Sequence, residues 1–347
     1  MTESREYPND SEVLEFFNKF IGLENAREYF KSSGILFATN KHAEIAKYAS
    51  KMIFGLEDFA MMKSLTSTKQ DYSKISGFEI RTKKPIEEVR GFFQNGSLVK
   101  TENGLTIKTT TFDPESKNIH VSFSFDHKTP GKMNLISKEV RIGEFQIEPG
   151  DDGTAKIVVF NHSKNEDYAA VKDIVTTISQ NKENDVEIVS MTLDRFDLKT
   201  RIAFIDRVLK RKYANWDLEE VISIRVRKGE ETEEAEEVQK KYLEGINDAL
   251  LKGHNLRTNP FVKDCEKSGY YFPAIVMKMV HKTEPYRIHL EVQFKFRPEM
   301  PEVNINDSFL IEKDGEKPFQ LEPDFKKEEL NIFIHDVFSI YEKLDKT

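Results

Sequence analysis

The sequence predicts a mainly antiparallel α+β protein with a helical N-terminal cap. Three observations predict it. Hydrophobic residues recur at helical spacing through residues 11–66; an alternating apolar and polar period sets in from Gly77; and one order of strands and helices can be read twice over 77–345. With 347 residues the chain is long for a single domain. Its 38% apolar content, including 26 Phe, supplies ample core, and 32% charged residues solvate the surface.

Residues 11–66 read as helices. Val13, Leu14, Phe16, Phe17 and Phe20 make a wide apolar stripe that Ala26, Tyr29 and Phe30 continue. Asn40 is placed to cap a third helix carrying Ile45, Ala46, Ala49, Met52 and Ile53. A helix-turn-helix is disfavoured, because the expected small-residue and turn-glycine spacing is absent. These helices form a cap over 1–70.

The first α+β unit is expected over 77–181. GFEIRT is a strand, Pro85 opens a helix through Phe93, and Asn95-Gly96 ends it. In GLTIKTTTF and NIHVSFSF, Leu105, Ile107, Ile119, Val121, Phe123 and Phe125 point one way, while His120, Ser122 and Ser124 point the other. In EVRIGEFQIE the phase shifts after Ile142, and Gly143 suggests a bulge. TAKIVVF then leads into a helix through Tyr168, Val171, Ile174, Val175 and Ile178.

The second unit, 185–347, repeats the order. VEIVSMTL is a strand; Leu198, Ile202, Ile205, Leu209 and Tyr213 mark a helix; LEEVISIRV, YYFPAIVMKMV, RIHLEVQFKF and VNINDSFLIE are strands; Leu330 to Tyr341 is a closing helix. A helical insertion is expected at about 232–268. This strand-helix-four-strand-helix (β-α-β4-α) order resembles the half-domain of the TATA-box-binding-protein fold, which also occurs as a tandem pair. The resemblance covers element order over 77–345 and no motif residues. It implies a curved antiparallel sheet with long helices on one face, while function must be argued from the site, since shared folds carry unrelated activities.

A net charge of −8 opposes a surface that attracts phosphate everywhere, so any nucleic-acid site must be local. The single cysteine, Cys265, forms no intrachain disulfide and no thiolate-rich metal site, which fits a reducing compartment. MTESREYPNDSEVLEFF lacks the basic start and apolar stretch of a signal peptide, and no run approaches the roughly 18 apolar residues of a membrane span. A cytoplasmic protein without membrane contact is expected.

The segment 207–241 changes sign. Its acidic half has a local explanation: Thr232 caps a helix carrying Val238, Tyr242, Ile246 and Leu250, Gly253 ends it, and Glu233, Glu234, Glu236 and Glu237 meet the positive end of its dipole. The basic half offers a candidate binding surface. Lys199, Arg207, Lys210 and Arg211 fall on one side of a helix, Arg225 and Arg227 lie on the next strand, and Tyr213 and Trp216 stand between. Cations interleaved with aromatics suit phosphate contacts and base stacking.

For catalysis, His289, Glu291, Gln293 and Lys295 share one face of RIHLEVQFKF, a pattern that can hold a divalent cation and poise a water. Such a site needs a carboxylate from a neighbouring strand, and YYFPAIVMKMV offers none. The eight histidines show no metal-ligand spacing, and no Gly-x-Ser-x-Gly, phosphate-loop or dinucleotide fingerprint is present. No cofactor or metal is expected. Asp126-His127 beside Thr129-Pro130-Gly131-Lys132 reads as a turn. The expected function is a non-catalytic binding or regulatory component, with nucleic acid as the partner of the basic surface. The alternatives are a protein–protein adaptor and a metal-dependent phosphodiesterase.

Overall fold

The N-terminal helical spacing becomes three helices in the computed structural model: α1 (Asp10–Lys19), α2 (Leu23–Ser32) and α3 (His42–Ala49). The structure describes residues 9–19, 21–55, 57–58, 61, 74–93, 105–128, 138–150, 154–160, 165–229, 243, 246–296 and 299–345. Two compact units emerge, one holding these helices and one holding most of the sheet.

In the helical unit, Asn9 and Glu12 start α1 reciprocally: Asn9 N–H donates to Glu12 Oε2 at 2.8 Å, and Glu12 N–H to Asn9 Oδ1 at 2.9 Å. Phe16, Phe17, Phe30, Ile45 and Ala46 are the buried centre. Tyr29 joins them and donates its hydroxyl to Asp58 at 3.0 Å, with burial pushing the phenol's pKa up. Asn40 does not cap α3. Lys41 holds that position without a side-chain bond, while Asn40 Oδ1 accepts from Arg27, and Thr39 binds both the Lys41 N–H and Glu44. Leu36, Tyr48 and Ile53 stay at the surface, Ile53 fully exposed.

The alternating sequences become one twelve-stranded antiparallel sheet. Its strands are β1 (Lys74–Thr82), β2 (Thr106–Phe112), β3 (Ile119–Lys128), β4 (Lys138–Pro149), β5 (Thr154–Phe160), β6 (Val186–Val189), β7 (Trp216–Lys228), β8 (Asp248–Lys252), β9 (Tyr270–His281), β10 (Tyr286–Phe296), β11 (Glu299–Glu312) and β12 (Gly315–Pro318). The lateral order is β2-β3-β4-β5-β1-β11-β10-β9-β7-β8, with β12 on β11 and β6 on β1. One edge of β1 is shared: residues 74–76 pair with β11, and residues 79–82 pair with β6.

The remaining helices are α4 (Ile86–Phe92), α5 (Asn165–Gln180), α6 (Leu198–Lys210), α7 (Pro260–Lys267) and α8 (Pro323–Asp345). They lie on both faces of the sheet. Neighbouring residues of a strand point to opposite sides. Phe78 meets Tyr168 of α5 edge to face at 5.7 Å, whereas the adjacent Gly77 is approached by Phe338 of α8. Phe93, just after α4, packs on Phe145 from the Phe78 side. Phe294 of β10 meets both Phe204 of α6 and Tyr341 of α8, and its strand continues the Gly77 side. The one-face arrangement that the fold resemblance implies is therefore not observed. Two polar strand faces, on opposite sides of the sheet, lie outside these ring contacts, one over β2–β5 and one on β10.

One local reading changes. Leu250 lies in edge strand β8, which ends before Gly253, so the expected insertion is not one helix; among the described residues of 232–268 only 260–267 is α-helical, and 231–242 lies outside the described residues. Gly143 serves close packing: a Cβ there would come within 2.3 Å of the Phe123 ring. The turn at 129–132 also lies outside the described residues. Among the described residues, no helix is long and apolar enough to cross a membrane.

Candidate functional site

The basic surface divides into spent and unspent cations. Helix α6 begins at Asp197, whose carboxylate accepts the Thr200 N–H at 2.7 Å and is held below the usual carboxylate range by that bond. Lys199 and Lys210 are exposed on α6 and Arg207 is half-buried, and none of the three forms an ion pair among the described residues. Arg211, one residue past the helix, is instead committed to Asp336 of α8, with Nε at 2.9 Å.

Tyr213 and Trp216 are core residues. The Tyr213 hydroxyl donates to the Val208 carbonyl at 2.9 Å, and burial raises its pKa. Trp216 is 1% exposed and donates Nε1 to Glu329 at 2.7 Å, so neither ring is open to a stacking base. On β7, Arg225 and Arg227 both grip Asp248 of β8, at 2.9 Å. Burial opposes ionisation of Asp248, but the two guanidinium hydrogen bonds outweigh it and hold the carboxyl below its ordinary pKa. Sequence reading missed Asp336, Glu329 and Asp248 as partners. No local signal marks them, because they lie 125, 113 and 23 residues from the groups they bind.

The β10 quartet forms one of the two polar sectors, and β11 supplies the neighbouring carboxylates that β9 lacks. His289 Nδ1 stands 3.0 Å from Asp307, and Asn306 donates to Glu291 at 3.2 Å. Gln293 donates to Glu302 Oε1 at 2.6 Å, while Lys295 lies 2.6 Å from Oε2 and Lys74 of β1 lies 3.8 Å from Oε1. Glu302 is fully buried, so this carboxylate's charge is matched by ammonium groups rather than by water. Among the described residues, no three His, Cys, Asp or Glu side chains are placed to hold a metal ion. Cys265 of α7 is buried, and burial, with Asp264 and Glu266 beside it, pushes its thiol up to about 11.

The second polar sector holds a cavity of about 220 Å³ over β2, β3, β4 and β5. Thr109, Thr111, His120, Ser122 and Gln146 line it, with Phe160 as an apolar wall. Lys327 of α8 reaches in, 2.9 Å from Glu144 and 4.9 Å from the Phe160 ring centre. Gln146 turns its amide nitrogen to Glu148 at 2.7 Å, and His335 of α8 meets the same carboxylate at 3.1 Å. These contacts set the strand face and the helix as two walls of one cavity.

Compared with known proteins, the chain matches no family model and no characterised protein sequence.

Proposed function

We propose that the protein is a non-catalytic binding component that contacts the phosphate backbone of nucleic acid through the outer side of α6. The observation that supports this is the set of cations without ion-pair partners among the described residues, Lys199, Arg207 and Lys210, beside Arg211, Arg225 and Arg227, which are paired. In a chain with 60 acidic and 52 basic residues, such a group is the feature that favours an anionic partner. With the aromatics buried, the contact is to phosphate and carries little base specificity.

Its scale is set by the helix. Eleven residues separate Lys199 from Lys210, a rise of about 16 Å. Three neutralised phosphates give a slope of log affinity against log salt of about −2 on a single strand. Fluorescence anisotropy of a labelled single-stranded oligonucleotide, titrated at several salt concentrations, tests it. Replacing Lys199, Arg207 and Lys210 by Gln together should flatten the slope and weaken binding; absence of wild-type binding at low salt removes the reading. We also read the sheet protein as two units, 77–181 and 185–347, of β-α-β4-α order resembling the TATA-box-binding-protein half-domain; the order of the described elements supports this.

A protein–protein adaptor is the second reading, favoured by Leu36, Tyr48 and Ile53, which the helical unit leaves 80%, 56% and 100% exposed. A defined oligomer in light scattering that dissociates on Tyr48→Glu with Ile53→Glu would support it over nucleic-acid binding.

A further inference from the structure

We propose that the cavity over β2–β5 binds a small, neutral, polyhydroxylated ligand of monosaccharide size. This stands apart from the α6 reading and uses different residues.

Size is the first ground. At about 220 Å³ the cavity lies below the roughly 300–1,000 Å³ of sites for drug-sized molecules, so it suits a metabolite-sized guest. Charge is the second. Lys327 and Glu144 face each other at 2.9 Å, so the walls present one cation already matched by one anion. An anionic guest would meet the Glu144 carboxylate and a cationic guest the Lys327 ammonium, whereas a neutral guest leaves the pair intact.

Hydrogen-bond inventory is the third ground. The hydroxyls of Thr109, Thr111 and Ser122 make no hydrogen bond to a described residue, and Gln146 spends only its nitrogen, on Glu148. Thr110, on the same strand, contrasts with them: its hydroxyl is bound to the Phe93 carbonyl at 2.5 Å. Three hydroxyls that both donate and accept, the His120 imidazole, an amide oxygen and a carboxylate that accept, and an ammonium that donates make a mixed set. A ligand carrying several hydroxyls, each donor and acceptor at once, complements it. Phe160 supplies the apolar wall against which the carbon side of such a ring rests.

Saturation-transfer NMR on the full chain, with D-glucose and D-ribose as probes and glycine and inorganic phosphate as comparisons, decides the point. We expect saturable transfer from at least one sugar at millimolar concentration and none from glycine or phosphate. Thr109→Val with Thr111→Val and Ser122→Ala should weaken that binding about tenfold or more at an unchanged melting temperature, since each lost hydrogen bond leaves a ligand group unpaired. Glu144→Gln, which breaks the ion pair without emptying the cavity, is the second variant and should also weaken it if the triple variant does not fold. No saturable sugar binding, sugar binding untouched by the variants that fold, or preferential binding of glycine or phosphate overturns the proposal.

Discussion

Trp216 and Glu329, 113 residues apart, meet inside the protein, the indole Nε1 donating to Oε2 of the carboxylate at 2.7 Å. Asn215 Nδ2 donates to the other oxygen at 2.7 Å, so a carboxylate only 4% exposed is held by two donors and ties the start of β7 to α8. Glu329→Ala strands an indole N–H and an amide together. We expect a loss of about 2 kcal/mol, chiefly from the buried indole N–H left unpaired at roughly 1–3 kcal/mol, with a smaller part from the half-buried Asn215 amide. Trp216 is the chain's one tryptophan, so its fluorescence in a urea titration reports the midpoint directly. A midpoint within error of wild type would mean that this contact does not join the two elements.

The Glu302 cluster makes a different demand. Lys295 removal leaves a buried carboxylate facing Gln293 and the more distant Lys74. Lys295→Met should therefore destabilise by about 2 kcal/mol, less than the roughly 3–5 kcal/mol of a fully buried pair because Lys295 is partly exposed. Glu302→Gln in the same chain should recover part of that loss, since an amide has no charge to leave unmatched. Chemical denaturation of the four chains of the double-mutant cycle measures the coupling, and strictly additive losses would show none.

Acid should loosen the β7–β8 edge. The Asp248 carboxyl has a lowered folded-state pKa, so its contribution is fully present above the unfolded value and is lost as pH falls through the folded one. The window opens below roughly pH 4, the ordinary aspartate value. Asp248→Asn should cost about 1 kcal/mol at neutral pH, the upper range for partly exposed pairs, and should remove that part of the acid dependence. Hydrogen exchange at Ser223–Arg227 across roughly pH 3–7, a range spanning the ordinary aspartate value, would show it; equal acid sensitivity in the variant would assign the effect to other carboxylates.

What is legible in the sequence is what depends on near neighbours. Ile119, Val121 and Phe123 against His120 and Ser122 mark the strand and its polar face, and the α6 stripe through Ile205 marks the helix, because side-chain period is local. The sequence over β8 reads as helix since Tyr242, Ile246 and Leu250 recur every four residues, and a five-residue edge strand is too short to show its own period. Long-range pairing leaves no trace: Asp248 and Asp336 look like any surface acid until the fold brings Arg225 and Arg211 to them. The cavity obeys the same rule. Its polar strand face is visible in the sequence, but the wall that closes it is Lys327, 183 residues from Glu144.

Gly77 fixes how closely α8 can lie on β1. A Cβ at this position would stand 2.4 Å from the Ile157 carbonyl oxygen and 2.7 Å from Phe338 Cζ. Phe338 can turn aside, but the carbonyl belongs to the β5 backbone paired with β1 and cannot move without disturbing that ladder. Gly77→Ala should thus cost about 2 kcal/mol, the middle of the range for overpacking a well-filled core. At Gly143 the three atoms nearest the intruding Cβ all belong to the Phe123 ring, so Gly143→Ala should cost less, and Phe123→Leu in the same chain should recover part of it by vacating the ring atoms. Thermal melts of the three variants check the order. If Gly143→Ala proves the more damaging, backbone rigidity at β5 is not what makes glycine necessary at 77.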